Sequence, residues 1–277
     1  MPISSPEKSA AGNLVLLLKR HSDLLPYANF RNGINNGWTY DFHLRNYADN
    51  PVRLNLHRSK DLFLLFVFAL ARAQHGRWEN AVHFTTFLKI SGRNEPMYWT
   101  NISHVLEDIG QRNFYETLAP CAVSVKVIPR DNITFKENLF YLTHKLAKNW
   151  TDISDQLQQA RQTGDYVSFI YYMTLLPDFQ DEMESLLEAI PLVLRELRCQ
   201  GIADNIPGEL CCVLDKRVLN SARECHIQLD KPYNIRSFMD TSAKVYNLFG
   251  DLYDIPLFAW KDLKSLATFL NLNNHHN

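Results

Sequence analysis

The 277-residue sequence lacks the glycine and cysteine patterns that mark many catalytic and metal-binding sites. It has 10 glycines and five cysteines, and none of them forms a GxGxxG, GxxxxGKS/T, GxSxG or CxxC pattern. These absences argue against a P-loop, a dinucleotide-binding loop, a hydrolase nucleophile elbow and the common zinc sites, so we expect no cofactor and no metal. An odd number of cysteines without a secretion signal favours reduced thiols and an intracellular location, cytoplasmic or nuclear.

Neither an excess of positive charge nor a long apolar run is present. The 29 lysines and arginines oppose 30 aspartates and glutamates. The net charge of −1 argues against a surface that coats nucleic acid generally, but it leaves a local phosphate-binding patch open. The longest apolar stretch, 62–71, is half of the roughly 20 residues that a membrane helix needs, so we expect no membrane segment. Apolar residues make up 46% of the chain, as in globular proteins with a buried core.

Helical periodicity dominates what is present. Ser59 is a candidate N-cap, and Pro191 is expected to kink or restart the helix that contains it. Helices are predicted over 59–70, 78–90, 97–109, 135–148, 153–162, 167–176, 182–198, 215–225, 235–250 and 260–272. Only 123–128 alternates as a short strand would. We therefore predict an all-α protein, with a disordered lead over 1–12 and a single two-lobed helical domain over 13–277.

The segment 206–227, IPGELCCVLDKRVLNSARECHI, carries the clearest candidate for chemistry. Pro207-Gly208 predicts a turn, 210–214 is an apolar approach to the core, and Asp215 then begins a helix. An aspartate at that point caps free backbone N–H groups, and it can also point a carboxylate into a cleft from a rigid element. Two interpretations stay open: a catalytic carboxylate that opens onto a cleft lined by donors, or a structural cap or ion pair buried against an arginine.

The turn, the apolar run and the Asp-Lys-Arg-Val of Asp215 to Val218 resemble the catalytic-aspartate segment of the helix-hairpin-helix DNA glycosylase superfamily. Residues 63–89 are similar to the early helix, the glutamine-containing bend and the Trp-led helix of archaeal 8-oxoguanine glycosylases. Residues 244–266 look like the last two helices of that group, with an intervening Ile-Pro turn. The resemblance touches about residues 55 to 270, in the right order.

The resemblance implies a two-lobed glycosylase fold and hydrolysis of the N-glycosidic bond of a damaged or modified base in duplex DNA, with Asp215 as the catalytic carboxylate. It also implies four candidate base-binding residues: Gln74, Trp78, Trp260 and Asp262. Each of these has a plainer alternative, because tryptophans also anchor cores, a glutamine also ends helices, and an aspartate also suits a solvated helix face.

Positive residues that follow Asp215 are candidates for contacts with DNA phosphates: Lys216, Arg217 and Arg223. Such contacts position DNA without reading its sequence. The alternative is an ordinary solvated face of a helix.

Two departures from the family affect the activity that we expect. The turn 176–180, Leu-Pro-Asp-Phe-Gln, lacks the glycines with which the family's hairpin approaches phosphate, and Asp178 adds a negative charge there. No lysine lies between Lys148 and Lys216, so the Schiff-base nucleophile of the lyase members has no counterpart. We therefore expect base excision without lyase activity. The alternative is a non-catalytic α-helical module that binds protein or DNA.

Overall fold

The computed structural model describes residues 3–25, 30–31, 34–35, 37–38, 52–74, 78–109 and 133–274. These residues are predominantly helical, and the all-α prediction is confirmed. The helices are α1 (Ser5–His21), α2 (Ser59–Ala73), α3 (Trp78–Ile90), α4 (Pro96–Trp99), α5 (Ile102–Ile109), α6 (Ile133–Lys148), α7 (Trp150–Thr163), α8 (Tyr166–Leu175), α9 (Met183–Cys199), α10 (Lys216–Glu224), α11 (Ile235–Phe249) and α12 (Ile255–Asn274). Two-residue strands, β1 (Phe30–Arg31) and β2 (Ile34–Asn35), form one antiparallel pair.

The bounds of the helices follow the apolar periodicity closely in most places. The α3 helix has the predicted bounds, whereas the helix predicted over 97–109 is divided into α4 and α5. Pro191 lies inside α9 without ending it, although a proline removes one backbone hydrogen bond. Its neighbours Ile190 and Leu192 are buried, so tertiary packing holds the helix together across the proline. The predicted strand 123–128 lies outside the described residues.

The prediction of a disordered lead over 1–12 is wrong for its larger part, because α1 begins at Ser5. Ser4 and Glu7 form a capping box, with Pro6 in the first turn, and these residues start a helix efficiently. Glu7 is 7% exposed, and its Oε1 accepts hydrogen bonds from Lys244 Nζ at 2.8 Å and from the backbone N–H of Gln228 at 3.1 Å. A capping signal and a distant ion pair therefore order a segment whose composition indicated disorder.

The core is centred on the contact between α2 and α9, the most extensive one between elements of the described residues. Residues 63–73 of α2 are all buried, because this helix is apolar around its whole circumference. The buried apolar side chains form one connected cluster. The division into two lobes stays a prediction. Within the described residues, no helix combines the length and the apolar character that a membrane crossing needs.

Buried polar contacts fix the segment that leads to α10. Asp254 Oδ1 accepts hydrogen bonds from Arg195 Nη1 and from the backbone N–H of Val213, both at 2.8 Å. The side chains of Asp254 and Arg195 are fully buried. These hydrogen bonds link α9 to the start of α12 and to the chain just before Asp215. The predicted turn at Pro207-Gly208 is present, and a Cβ on Gly208 would lie 2.2 Å from the Tyr246 ring. Only glycine allows this close approach.

Replacing Glu7 with Gln is expected to lower the free energy of unfolding by about 2–3 kcal/mol, because it leaves the buried Lys244 ammonium without its ion pair. Lys244 and the backbone N–H of Ser4 lower the pKa of Glu7 from 4.5 to about 2. A carboxyl whose pKa is lower in the folded state than in the unfolded state stabilises the fold at pH values above its unfolded-state pKa. This stabilisation is lost as the pH falls toward the pKa of the folded state.

The measurement is urea denaturation of wild type and Glu7→Gln at a series of acidic pH values, with the exposed Glu107→Gln as the matched control. We expect the difference in stability to shrink as pH falls from 4.5 toward 2. A difference that stays constant over this range would contradict the ion-pair assignment.

Candidate functional site

A cleft of about 1000 Å³ opens between α2, α9, α10 and α12. Its wall contains the N-terminus of α10, the C-terminal end of α2 and the middle of α9, with residues 231–232 at one side. Ten charged residues line it, namely Arg72, Glu184, Glu188, Asp215, Lys216, Arg217, Arg223, Lys231, Lys261 and Asp262. Apolar side chains such as Trp78 and Phe258 also line this cleft, but its lining is more charged than that of a typical ligand pocket.

Asp215 caps α10 and belongs to the wall of the cleft at the same time. Its Oδ1 accepts a hydrogen bond from the backbone N–H of Val218 at 2.7 Å, as an N-cap side chain does. Its Oδ2 accepts a short hydrogen bond from Arg72 Nη2, which completes a buried ion pair. Asp215 is only 4% exposed. The structure therefore combines features of both earlier interpretations, since a buried arginine holds the carboxylate and the cleft is lined by cations.

A stack of charged and aromatic groups forms the wall beside Asp215. The guanidinium carbons of Arg72 and Arg217 lie 5.1 and 4.1 Å from the centroid of the Phe258 ring. Arg217 also donates from Nε to the Phe258 carbonyl at 2.6 Å and from Nη2 to Asp262 at 2.7 Å. Cation–π and ion-pair contacts thus hold Arg217 of α10 against α12, to which both Phe258 and Asp262 belong. Arg217 and Asp262 both line the cleft, but their charged groups are already engaged with each other.

Glu188 is a residue of this cleft that the sequence analysis missed. It is half-buried on α9, and burial raises its pKa to about 8, with the negative charge of Asp215 as a second cause and the positive charge of Arg72 in opposition. A carboxyl with this pKa is mostly protonated near neutral pH. Glu188 is the only charged residue within 185–194, and a lone carboxyl in such an apolar run is the signal that could have revealed it.

Three exposed cations lie at the rim: Lys216, Arg223 and Lys261. None of them makes an ion pair with another residue of the described ranges, whereas Arg72, Arg217 and Lys231 are paired with carboxylates. With Glu188 protonated, six lysines and arginines in the lining face three ionised carboxylates. The cleft therefore favours anionic ligands, and the rim cations have charge available for them.

Two candidate base-binding residues lie elsewhere. Gln74 Nε2 donates to Glu182 Oε2 at 3.0 Å and to Ser185 Oγ at 2.9 Å, so this side chain joins α2 to the start of α9. Trp260 Nε1 donates to Glu224 Oε2 at 2.9 Å. Neither residue lines the cleft. Trp78, 4% exposed, does line the cleft. That Gln74 and Trp260 contact a bound base stays a prediction.

The turn 176–180, compared above with a glycine hairpin, lies largely in a 3-10 helix, Pro177–Glu182, between α8 and α9. Asp178 Oδ2 accepts a hydrogen bond from Asn149 Nδ2 at 2.8 Å, and Lys148 Nζ lies 3.5 Å away. These contacts lower the pKa of Asp178, the hydrogen bond from Asn149 most strongly. The turn thus carries a negative charge and is not part of the cleft lining, so nothing here resembles a phosphate-binding glycine hairpin.

The described residues contain no cluster of three or more side chains that could hold a metal ion. Four cysteines lie within the described residues, and all four are free thiols: Cys199, Cys211, Cys212 and Cys225. Burial raises the pKa of Cys225 to about 11 and that of Cys199 to about 12. These thiols are therefore poor nucleophiles near neutral pH. Cys121 lies outside the described residues.

Comparison with known proteins adds no relative from which to transfer a function. No protein-family model matches the chain, and no curated protein sequence and no solved structure matches it significantly. The assignment of a function therefore depends on the chemistry of the cleft itself, together with the resemblance of the segments described above.

Replacing Arg72 with Met is expected to lower the free energy of unfolding by about 3–5 kcal/mol, because it leaves a buried carboxylate without its counter-charge. Lys60→Met in the same helix is the matched control, since it breaks the exposed ion pair of Lys60 with Glu95. That loss should be below about 1 kcal/mol. Chemical denaturation of both variants measures the difference, and equal losses would show that the Arg72–Asp215 pair is not buried in solution.

Proposed function

We propose that the cleft hydrolyses the N-glycosidic bond of a modified base in DNA, without a lyase step. The observation that carries this proposal is the location of Asp215 in a cleft whose rim cations have no ion pair within the described residues. Hydrolysis of a glycosidic bond needs a negative group near the sugar as positive charge develops there, and a DNA substrate needs cations near its phosphates. Both requirements have candidates within this one cleft.

The carboxylate of Asp215 has the role of stabilising the cationic sugar. A backbone N–H of α10 and the guanidinium of Arg72 hold it in one orientation, and a fixed charge of this kind needs no reorganisation during the reaction. Each carboxylate oxygen has a second lone pair beyond the hydrogen bond described. The negative charge therefore remains available to the sugar through its field, although little of the side chain is exposed.

The rim cations Lys216, Arg223 and Lys261 have the role of binding phosphates on either side of the sugar. They are exposed and have no ion pair with the described residues, so a phosphate displaces no carboxylate when it binds them. This patch supplies locally the positive charge that the whole chain lacks. It also replaces the glycine hairpin of the family, which this chain does not have.

A second function is favoured by the ion pair itself. Both oxygens of Asp215 accept hydrogen bonds, and the residue is 4% exposed, as expected of a group that only joins two helices. The cleft would then bind an anionic partner without chemistry, with the same rim cations in contact. The two functions predict the same dependence of binding on salt but different outcomes in an assay of base release.

Base release from DNA tests the first function directly. Wild-type protein is incubated with duplexes that carry 8-oxoguanine, uracil or alkylated bases, and Asp215→Asn is compared with the exposed Asp155→Asn. Asparagine keeps the N-cap of α10 but removes the counter-charge of the buried Arg72, so the folded fraction of Asp215→Asn is measured by circular dichroism and the rates are compared per folded molecule. We expect Asp215→Asn to reduce the rate by about 100-fold or more and Asp155→Asn to leave it unchanged.

Two results would contradict this proposal. An unchanged rate in Asp215→Asn would remove the role of the carboxylate. The absence of base release from every duplex would leave the non-catalytic binding function in its place.

DNA binding at a series of salt concentrations tests the rim cations. The triple variant Lys216→Ala, Arg223→Ala, Lys261→Ala is compared with a triple variant of the same composition in α1, Lys8→Ala, Lys19→Ala, Arg20→Ala, whose residues are exposed and outside the cleft. The slope of log Kd against log salt should decrease by about two to three for the rim variant only, since each phosphate contact contributes about 0.9. Equal slopes in the two variants would place the binding surface elsewhere.

A further inference from the structure

Glu188 differs from the other carboxyl groups of the cleft. Asp215 is paired with Arg72, Asp262 with Arg217 at 2.7 Å, and Glu184 with Lys231 at 2.7 Å. Within the described residues, Glu188 makes no hydrogen bond and no ion pair, although it is half-buried in the wall. A buried carboxyl without a counter-charge is costly when ionised, and a stability role gives no reason for it here.

The charged groups that face Glu188 come from every side of the cleft wall. Asp215, from the start of α10, and Glu184, one turn earlier on α9, oppose its ionisation, whereas Arg72 of α2 and Lys231 favour it. The two carboxylates raise the pKa of Glu188 and the two cations lower it, so burial has the deciding influence. Burial raises this pKa, to about 8. The neighbouring lining residue Leu187 is buried, which supplies the apolar surroundings.

We propose that Glu188 is the general acid of the glycosidic hydrolysis assigned above to this cleft, on which this inference rests. Its carboxyl proton passes to a ring nitrogen or exocyclic oxygen of the departing base while the bond between C1′ and the base nitrogen breaks and its electron pair leaves with the base. Water then forms the new bond to C1′, and the proton that this water loses returns to the Glu188 carboxylate. The sum is base release by one water, with Glu188 restored.

The pairing of a protonated Glu188 with a negatively charged Asp215 gives the two carboxyls different roles. One has a proton to donate, and the other has a fixed charge for the sugar cation. Many glycoside hydrolases divide the work in the same way between two carboxyls, one as acid and the other as a charge or nucleophile. The cleft thus contains a candidate for each role.

The test is the pH dependence of base release by wild type, Glu188→Gln and the exposed Glu209→Gln, a matched control outside the cleft. Wild type and Glu209→Gln should lose rate above pH about 8, by about tenfold for each further pH unit, because the acid form disappears. Glu188→Gln should be slower by about 100-fold or more, and its rate should no longer fall above that pH. Its DNA affinity should be unchanged near neutral pH, since a neutral amide replaces a mostly neutral carboxyl.

A second comparison separates proton donation from a structural role. A fluorinated form of the same base leaves with less help from a proton, so the deficit of Glu188→Gln should be smaller on that substrate. A variant with a disturbed cleft would lose rate equally on both.

The possible failures are distinguishable. Base release by wild type with no loss of rate above pH about 8, or with the wild-type profile in Glu188→Gln, overturns the role of Glu188 and leaves the proposed function standing. No base release by wild type overturns both. If Glu188→Gln does not fold, the profile of wild type and the effect of fluorination on it still decide, because a general acid requires both the loss at high pH and a leaving-group dependence.

Discussion

The buried ion pair between Arg72 and Asp215 is the contact on which the candidate site depends. It joins the C-terminal end of α2 to the first residue before α10, and these groups are separated by 143 residues in sequence. Because α9 packs along α2, the same contact also brings Glu188 to the wall that contains Asp215. A buried pair of this kind adds little net stability over an apolar pair, but the loss of one partner is costly. Its main effect is to fix where α10 begins.

The distribution of charge explains how a chain with a net charge of −1 can contain an anion-binding cleft. The acidic groups near the 3-10 turn are engaged locally, as Asp178 is with Asn149 and Lys148. Rim cations such as Lys216 and Arg223 have no such carboxylate partners among the described residues. Since ionic attraction between exposed groups decays over about 10 Å in salt, the local arrangement matters more to a ligand than the total.

Periodicity is sufficient to predict most of the helices, because an apolar stripe at helical spacing is a local property of the sequence. The cap of α10 can be predicted as well, since Asp215 directly precedes this helix in the sequence. The partner Arg72 could not be predicted, because a distant contact leaves no local signal. The contacts of Gln74 could not be predicted for the same reason, since Glu182 and Ser185, far along the chain, engage its amide. The α1 helix does have a local signal, the capping box of Ser4 and Glu7, and the order of these residues outweighs the composition that predicts disorder.

The electrostatic coupling of Asp215 and Glu188 constrains any account of this cleft. The negative charge of Asp215 is one of the causes that raise the pKa of Glu188, while Arg72 acts in the opposite direction. Removing the charge of Asp215 would release Arg72 from its pair and would leave its full positive charge facing Glu188. Both changes lower the pKa of Glu188 and favour its ionisation. A neutral side chain at position 215 therefore removes the negative charge from the wall and also favours loss of the proton of Glu188. The two carboxyls therefore act as one unit, and the effects of changing each of them need not add.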